Sequence, residues 1–157
     1  MIRKATIHDV KAIHHLLREF ADQGKLLPRA LSDLYDCIRD FTVFEEKEGS
    51  SLLGICALHI SWEDLSEIRS LAVRKPYQRQ GIGAMLVSEA LNEALGLGIK
   101  RVFTLTYEPG FFSKHGFEVI DKASLPQKIW ADCIKCVKFP DCDEIAMLKS
   151  LADKIDK

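Results

Sequence analysis

The stretch whose reading decides the fold is Leu71-Ala72-Val73-Arg74-Lys75-Pro76-Tyr77-Gln78-Arg79-Gln80-Gly81-Ile82-Gly83. It opens as a strand and halts at Pro76, which has no N–H with which to continue a ladder. After Gly81 and Gly83 it resumes as a helix. From Gly81 to about Leu97 the apolar residues Ile82, Met85, Leu86, Val87, Ala90, Leu91 and Ala94 recur at helical spacing. They predict a strongly amphipathic helix, ended by Gly96 and Gly98. A further strand, Arg101 to Tyr107, follows. Strand, long helix and strand together predict one right-handed parallel crossover.

Upstream, Ile2 to Thr6 reads as a first strand. Asp9 is placed to cap a helix in which Val10, Ile13, Leu16, Leu17 and Phe20 share one face, with Gly24 at its end. Residues 30–39 predict a shorter helix carrying Leu31, Leu34, Tyr35 and Ile38 on one side. Phe41 to Glu46 and Leu52 to Ile60 are strands parted by Glu48-Gly49-Ser50, and Glu67 to Val73 is the next. Downstream, Pro109-Gly110 breaks the fifth strand, and Phe111 to His115 predicts a short helix. Phe117 to Ile120 and Glu144 to Leu148 are the last strands. The class is therefore α/β, or α+β in stricter schemes: a mixed, mostly antiparallel central sheet flanked by helices, with one parallel β-α-β crossover. No repeat or low-complexity linker interrupts it, so residues 1–157 are expected to form one domain.

At 157 residues the chain is long enough to bury a real core. A net charge of −1 gives no electrostatic reason to expect nucleic acid or an anionic membrane as partner. No apolar run reaches the length of a membrane span, and Met1 to Thr6 leads into a polar-spaced helix rather than the apolar core of a signal peptide. A cytoplasmic location is expected. The five cysteines are an odd number, which argues against a closed disulfide framework. Cys133-x2-Cys136-x5-Cys142 invites a zinc reading, but no histidine or fourth cysteine lies nearby in sequence. Three thiols fall short of a closed tetrahedral site, so no metal is expected.

The glycine-bearing turn has its own chemistry. At a helix start the first N–H groups lack intrahelical acceptors and the macrodipole is positive, which suits a phosphate. Gly81 and Gly83 have no Cβ to hold a diphosphate away, and Arg79 adds a charge-assisted donor. A P-loop would need Gly-Lys-Ser/Thr, but Gly83 is followed by Ala84 and Met85. A dinucleotide fingerprint would need a glycine where Leu86 stands. The plainer alternative is that these glycines only shape a tight strand-to-helix turn.

The pattern Gln/Arg-x-x-Gly-x-Gly/Ala after a strand ending Leu-Ala-Val, with the later Phe111-Phe112-Ser113-Lys114-His115-Gly116-Phe117, resembles the GNAT family of N-acetyltransferases. With the element order, the resemblance spans residues 1 to about 121. It implies acetyl-CoA as co-substrate. The main chain of Leu71, Ala72 and Val73 would pair with the pantetheine arm, and Gln78, Arg79, Gln80, Gly81, Ile82 and Gly83 would hold the pyrophosphate. A neutral amine would then attack the bound thioester directly. Members place their base on the fourth strand, at the point where Glu67 stands here. The alternative for Glu67 is a surface or salt-bridged carboxylate, since Arg69 shares its face and would weaken it as a base. Many members use a tyrosine as acid where this chain has Phe112, which is assigned instead to cofactor contact. Thr106 and Tyr107 are the nearest replacements, with ordinary strand residues as the alternative.

Within that family three stretches narrow the resemblance: Leu16 to Leu27, Glu67 to Val73, and Leu125 to Cys133. They are similar to the amino-acid N-acetyltransferases of the N-acetylglutamate synthase type, in their short bacterial form. This implies a small amino-acid acceptor, L-glutamate first, and hence the opening step of arginine biosynthesis. Arg18 would grip one carboxylate and Lys128 or Lys135 the second, with Arg69 and Ser70 alongside, and segment 122–157 would complete the acceptor site. Some related enzymes carry an Arg and a Ser near the position of Cys142-Asp143, and this chain does not. Two readings stay open beside this one. One is acetylation of another small amine or a protein N-terminus; the other is a non-catalytic acetyl-CoA-binding module. GNAT domains often pair, so a homodimer is implied by resemblance only.

Overall fold

In the computed structural model residues 1–26, 29–126, 129 and 144–151 are described. The strands are β1 (Ile2–Lys4), β2 (Phe41–Glu45), β3 (Leu52–Trp62), β4 (Leu65–Val73), β5 (Arg101–Thr106), β6 (Glu118–Val119) and β7 (Ile145–Ser150). The helices are α1 (Val10–Asp22), α2 (Leu31–Asp36), α3 (Ile82–Gly96) and α4 (Pro109–Ser113). The strands hydrogen-bond in the order β1-β2-β3-β4-β5-β7-β6. β4 and β5 run parallel, through the pairs Ser66↔Val102 and Glu67↔Phe103. The expected mixed sheet with one parallel crossover is what forms.

Two compact units make up the chain. The first comprises Met1–His59 and Ile68–Glu93. Its core is built because α1 turns Val10, Ile13, Leu16 and Leu17 to one face. These pack with Leu34 of α2, Phe41 and Val43 of β2, Leu52, Ile55 and Ala57 of β3, and Ala72 of β4. Each large side chain buried this way stabilises the fold by about 1.5–3 kcal/mol relative to exposure. α3 lies close over β3 because position 54 is glycine. A Cβ there would stand 3.0 Å from the side chains of both Ile82 and Leu86. Gly54 thus sets how closely α3 packs on β3.

The second unit comprises Ile60–Glu67 and the chain from Ala94 onward. Its central pairing is β5 with β7, antiparallel over Arg101↔Ser150 to Thr106↔Ile145. Leu65, Phe103, Leu125, Ile129 and Ala146 form its core.

Four local expectations are corrected. Asp9 stands at the N-cap of α1 but makes no side-chain cap bond. Its carboxylate is taken by the Thr6 N–H at 2.7 Å and by Arg3. The helix over residues 30–39 ends at Asp36, and Ile38–Asp40 forms a separate tight 3₁₀ turn. α4 starts at Pro109, two residues before Phe111, since proline suits a first helical turn. Finally, α3 is not strongly amphipathic. Ile82, Leu86, Val87, Ala90 and Ala94 are buried, yet Met85, one of its predicted core residues, is exposed. Its small and apolar residues run round much of the helix rather than along one stripe.

Candidate functional site

The strand-to-helix turn of the first unit is held by its own backbone and neighbours. Arg74 N–H donates to the Leu53 carbonyl at 2.8 Å, and Arg74 Nε donates to the Leu52 carbonyl at 2.7 Å. A 3₁₀ turn over Lys75–Tyr77 follows, closed by Tyr77 N–H to the Arg74 carbonyl at 2.8 Å. Gln78 Nε2 reaches back to the Val73 carbonyl at 2.9 Å. Two left-handed residues then turn the chain, Arg79 at φ 67° and Gly81 at φ 85°. Left-handed residues in such a turn aim successive N–H groups into a shared concavity that favours anions. Gln78, Arg79, Gln80 and Gly81 are exposed, and open space surrounds the position of a Cβ on Gly81. Ile82 is buried and anchors the first turn of α3 in the core side of the helix. The turn is thus shaped in advance and open to solvent, which fits a diphosphate.

The strand leading into it has an irregularity that the sequence did not announce. Ser70 sits at φ 57° in the middle of β4. Its hydroxyl accepts a hydrogen bond from Arg29 Nη1 at 3.2 Å. Arg69, Leu71 and Val73 are half-buried, while Ala72 is packed in the core, so its candidate role is confined to its main chain. Arg18 stands exposed on α1. His59 of β3 and Asp40, which no sequence motif links, face each other at 2.7 Å between Nδ1 and Oδ2.

In the second unit Glu67 is half-buried and in register with Phe103 of β5. Thr106 is buried at the end of β5, and its Oγ1 accepts the Glu108 N–H at 2.8 Å. Tyr107 beside it is half-buried. Phe112 is buried and packs edge-on against Phe111, with centroids 5.1 Å apart, and against Phe117, with centroids 5.3 Å apart. An open groove of about 470 Å³ lies beside α4, β6 and β7, and none of these candidates lines it. Lys128, Lys135, Cys133, Cys136 and Cys142 lie outside the described residues. Of the other cysteines, burial pushes the Cys56 thiol up to about 12, which keeps it protonated and inert. Among the described residues no group of three or more His, Cys, Asp or Glu could hold a metal ion. No helix among them is long and apolar enough to cross a membrane.

The mixed sheet with its parallel β4–α3–β5 crossover is that of an acyl-transferring class: the chain belongs to the acetyltransferase (GNAT) family, whose sequence profile matches residues 10–117. It is an N-acetyltransferase with acetyl-CoA as co-substrate. It is 40% identical over 150 residues to an uncharacterized N-acetyltransferase, CT2212, of Chlorobaculum tepidum, covering 96% of each chain. It is 37% identical over 132 residues to the amino-acid acetyltransferase of Mycobacterium tuberculosis, covering 83% of this chain and 75% of that one. Among solved structures, the N-acetylglutamate synthase of Neisseria gonorrhoeae, complexed with coenzyme A and N-acetyl-glutamate, superposes with a TM-score of 0.87 at 29% identity. That match covers 97% of this chain and 35% of the longer synthase.

Proposed function

We propose that this chain transfers the acetyl group of acetyl-CoA to the amino group of a small amino acid, L-glutamate first, as the opening step of arginine biosynthesis. The observation that carries the reading is the likeness, along most of the chain, to proteins named for amino-acid acetylation. The exposed guanidinium of Arg18 on α1 supports it, because an amino-acid acceptor brings at least one carboxylate. Residues 1–157 act as one domain in this proposal, and segment 122–157 completes the acceptor site with Lys128 or Lys135.

Bound acetyl-CoA supplies the activated acyl carbon. The chain's residues do the rest. The N–H groups from Gln80 to Gly83, with Arg79, hold the diphosphate, and the main chain of Leu71 to Val73 holds the pantetheine arm. Phe112 backs the cofactor. Glu67 accepts the proton that the ammonium must lose before its nitrogen can attack the thioester, directly or through one water. A new C–N bond forms as the C–S bond breaks. The leaving sulfur takes a proton from Thr106 or Tyr107, and the second proton shed by the nitrogen as the amide forms restores that hydroxyl through solvent. Of the two, Tyr107 has the more suitable acidity; Thr106 Oγ1 accepts the Glu108 N–H and keeps its own proton to donate. Proximity is the largest contribution asked of such a site, since both reactants are held side by side.

A substrate comparison with free-thiol detection tests the reading. Glutamate, aspartate, glutamine, leucine and spermidine are each offered with acetyl-CoA. Glutamate is expected to have the highest kcat/KM. Glutamine turned over equally well removes the second-carboxylate element, and spermidine as the best acceptor overturns the amino-acid reading.

A further inference from the structure

Arg29 is a half-buried cation whose contacts among the described residues are all neutral. Nη1 donates to Ser70 Oγ at 3.2 Å, Nη2 lies 3.0 Å from Cys37 Sγ, and the guanidinium carbon stands 5.7 Å from the centre of the Phe41 ring. Cys37 in turn donates its S–H to the Asp33 carbonyl at 2.7 Å, so its sulfur is free to accept from Arg29. Arg3, a partly buried arginine of the same unit, shows the usual arrangement: it is neutralised by Asp9 and Glu45. Among the described residues Arg29 has no carboxylate partner. Withdrawing a charge from water is unfavourable unless an opposite charge or several dipoles replace the solvent. A hydroxyl, a thiol and an aromatic face replace part of it.

The donor count shows what is missing. A guanidinium has five N–H donors in a planar fork. Two are used here, toward Ser70 and Cys37, and three have no acceptor among the described residues. A remaining edge of that kind matches a carboxylate in two parallel bonds. Its place matters as well. Arg29 stands where the end of α2, the start of β2 and the left-handed Ser70 of β4 meet, one residue before Leu71 to Val73.

We infer that Arg29 binds a carboxylate of the acceptor, through the guanidinium edge that Ser70 and Cys37 leave open. The inference deepens the amino-acid reading above and rests on it. Ser70 and Cys37 act as positioning residues, fixing the plane of the fork so that little side-chain freedom is lost when the acceptor arrives.

The test pairs substitutions in the protein with deletions of charge in the acceptor. Wild type, Arg29→Gln and Arg29→Lys are assayed as full-length proteins with acetyl-CoA and with L-glutamate, L-glutamine or the α-amide of glutamate. Melting temperature and the KM for acetyl-CoA are followed alongside. The expected result is a glutamate KM raised about tenfold or more in Arg29→Gln, with acetyl-CoA KM and melting temperature near wild type. One of the two amides should then show no further loss in the variant, because its missing carboxylate is the one Arg29 held. Arg29→Lys, which keeps the charge and loses the fork, is expected in between. Losses that add independently for both amides overturn the inference and leave Arg29 as a structural strut. So does a fallen melting temperature with unchanged discrimination in Arg29→Lys. A wild type that prefers spermidine overturns the amino-acid reading itself, and the wild-type assays alone reveal that.

Discussion

Arg3 and Asp9 meet through two parallel hydrogen bonds, Nη1 to Oδ2 at 2.8 Å and Nη2 to Oδ1 at 3.0 Å. The same guanidinium donates from Nε to Glu45 Oε1 at 3.0 Å, and Glu45 is buried. One cation therefore ties β1 to the turn before α1 and to the end of β2. Asp9 also accepts the Thr6 N–H. These contacts, the Arg3 bonds foremost, hold the Asp9 carboxyl below its ordinary value of 3.8.

A pH dependence of stability follows. With the folded-state pKa depressed, the contribution of Asp9 is complete above about pH 5 and is lost as pH falls through the folded value. His115 adds an earlier stage. Burial, and then Lys149 and Lys114, lower its pKa from 6.5. Its neutral form therefore favours folding above the unfolded value, and that contribution is lost as pH falls through the folded one. Urea midpoints are expected to be level above about pH 7.5 and to fall in two stages below it. Asp9→Asn should cost about 1–3 kcal/mol at neutral pH and flatten the lower stage. A variant that keeps the wild-type slope between about pH 5 and 3 would show that another carboxylate is responsible.

The turn before α3 gives the second prediction. Gly81 has φ 85° with open space around it, so a valine there meets no neighbour but adopts a backbone that costs about 1–2 kcal/mol. Gly81→Val is expected to fold with a lowered melting temperature and to bind acetyl-CoA much more weakly, as its branched side chain fills open space proposed to take the diphosphate. Isothermal titration with coenzyme A checks this. Wild-type affinity in the folded variant would remove the diphosphate assignment.

Glu67→Gln is expected to lower kcat by about 100-fold or more at neutral pH while the KM for acetyl-CoA stays near wild type. The amide is nearly isosteric and cannot accept the proton. The acidic limb of the pH–rate profile should disappear along with the rate. An unchanged rate and profile would return Glu67 to a structural role.

Arg18→Ala is expected to raise the glutamate KM about tenfold or more, reflecting the loss of a charge-assisted contact of roughly 1.5–3 kcal/mol. Arg18 is exposed on α1, so the melting temperature should barely move. Steady-state kinetics with glutamate and with leucine check the assignment. A KM change equal for both acceptors would place the lost contact on the α-carboxylate, and no change would detach Arg18 from the acceptor.

The order of elements was legible because periodicity and punctuation agreed. Alternation, proline and glycine bounded each strand, and the apolar face of α1 is the face that packs. The misses have physical causes. Ser70 carries no sequence mark of a left-handed conformation, because that geometry is imposed on β4 by its surroundings. Asp9 reads as a cap, but Arg3, six positions away, competes for its carboxylate and wins with two bonds. Arg29 and the His59–Asp40 pair join residues far apart in sequence, 41 and 19 positions, and no motif spans such gaps. For the candidate site, the strand-to-helix turn and its glycines could be read from the residues alone. The acceptor side depended on which cation stands near which strand, which only folding decides.

Arg79 is not a glycine, yet it is held at φ 67°. A residue with a Cβ is strained there by about 1–2 kcal/mol, and glycine would relax that strain at the expense of a floppier unfolded chain. Under the proposed diphosphate role, the position sets the shape the turn demands against the charge that would attract the ligand. Arg79→Gly separates the two demands. It leaves the loop free to keep its curve while silencing its electrostatic voice, so a loss of coenzyme A affinity that shrinks as salt is raised reports the missing attraction. A thermostability screen blind to catalysis would select for relief of this strain, and under the proposed role the enzyme that emerged would be slower to find its cofactor.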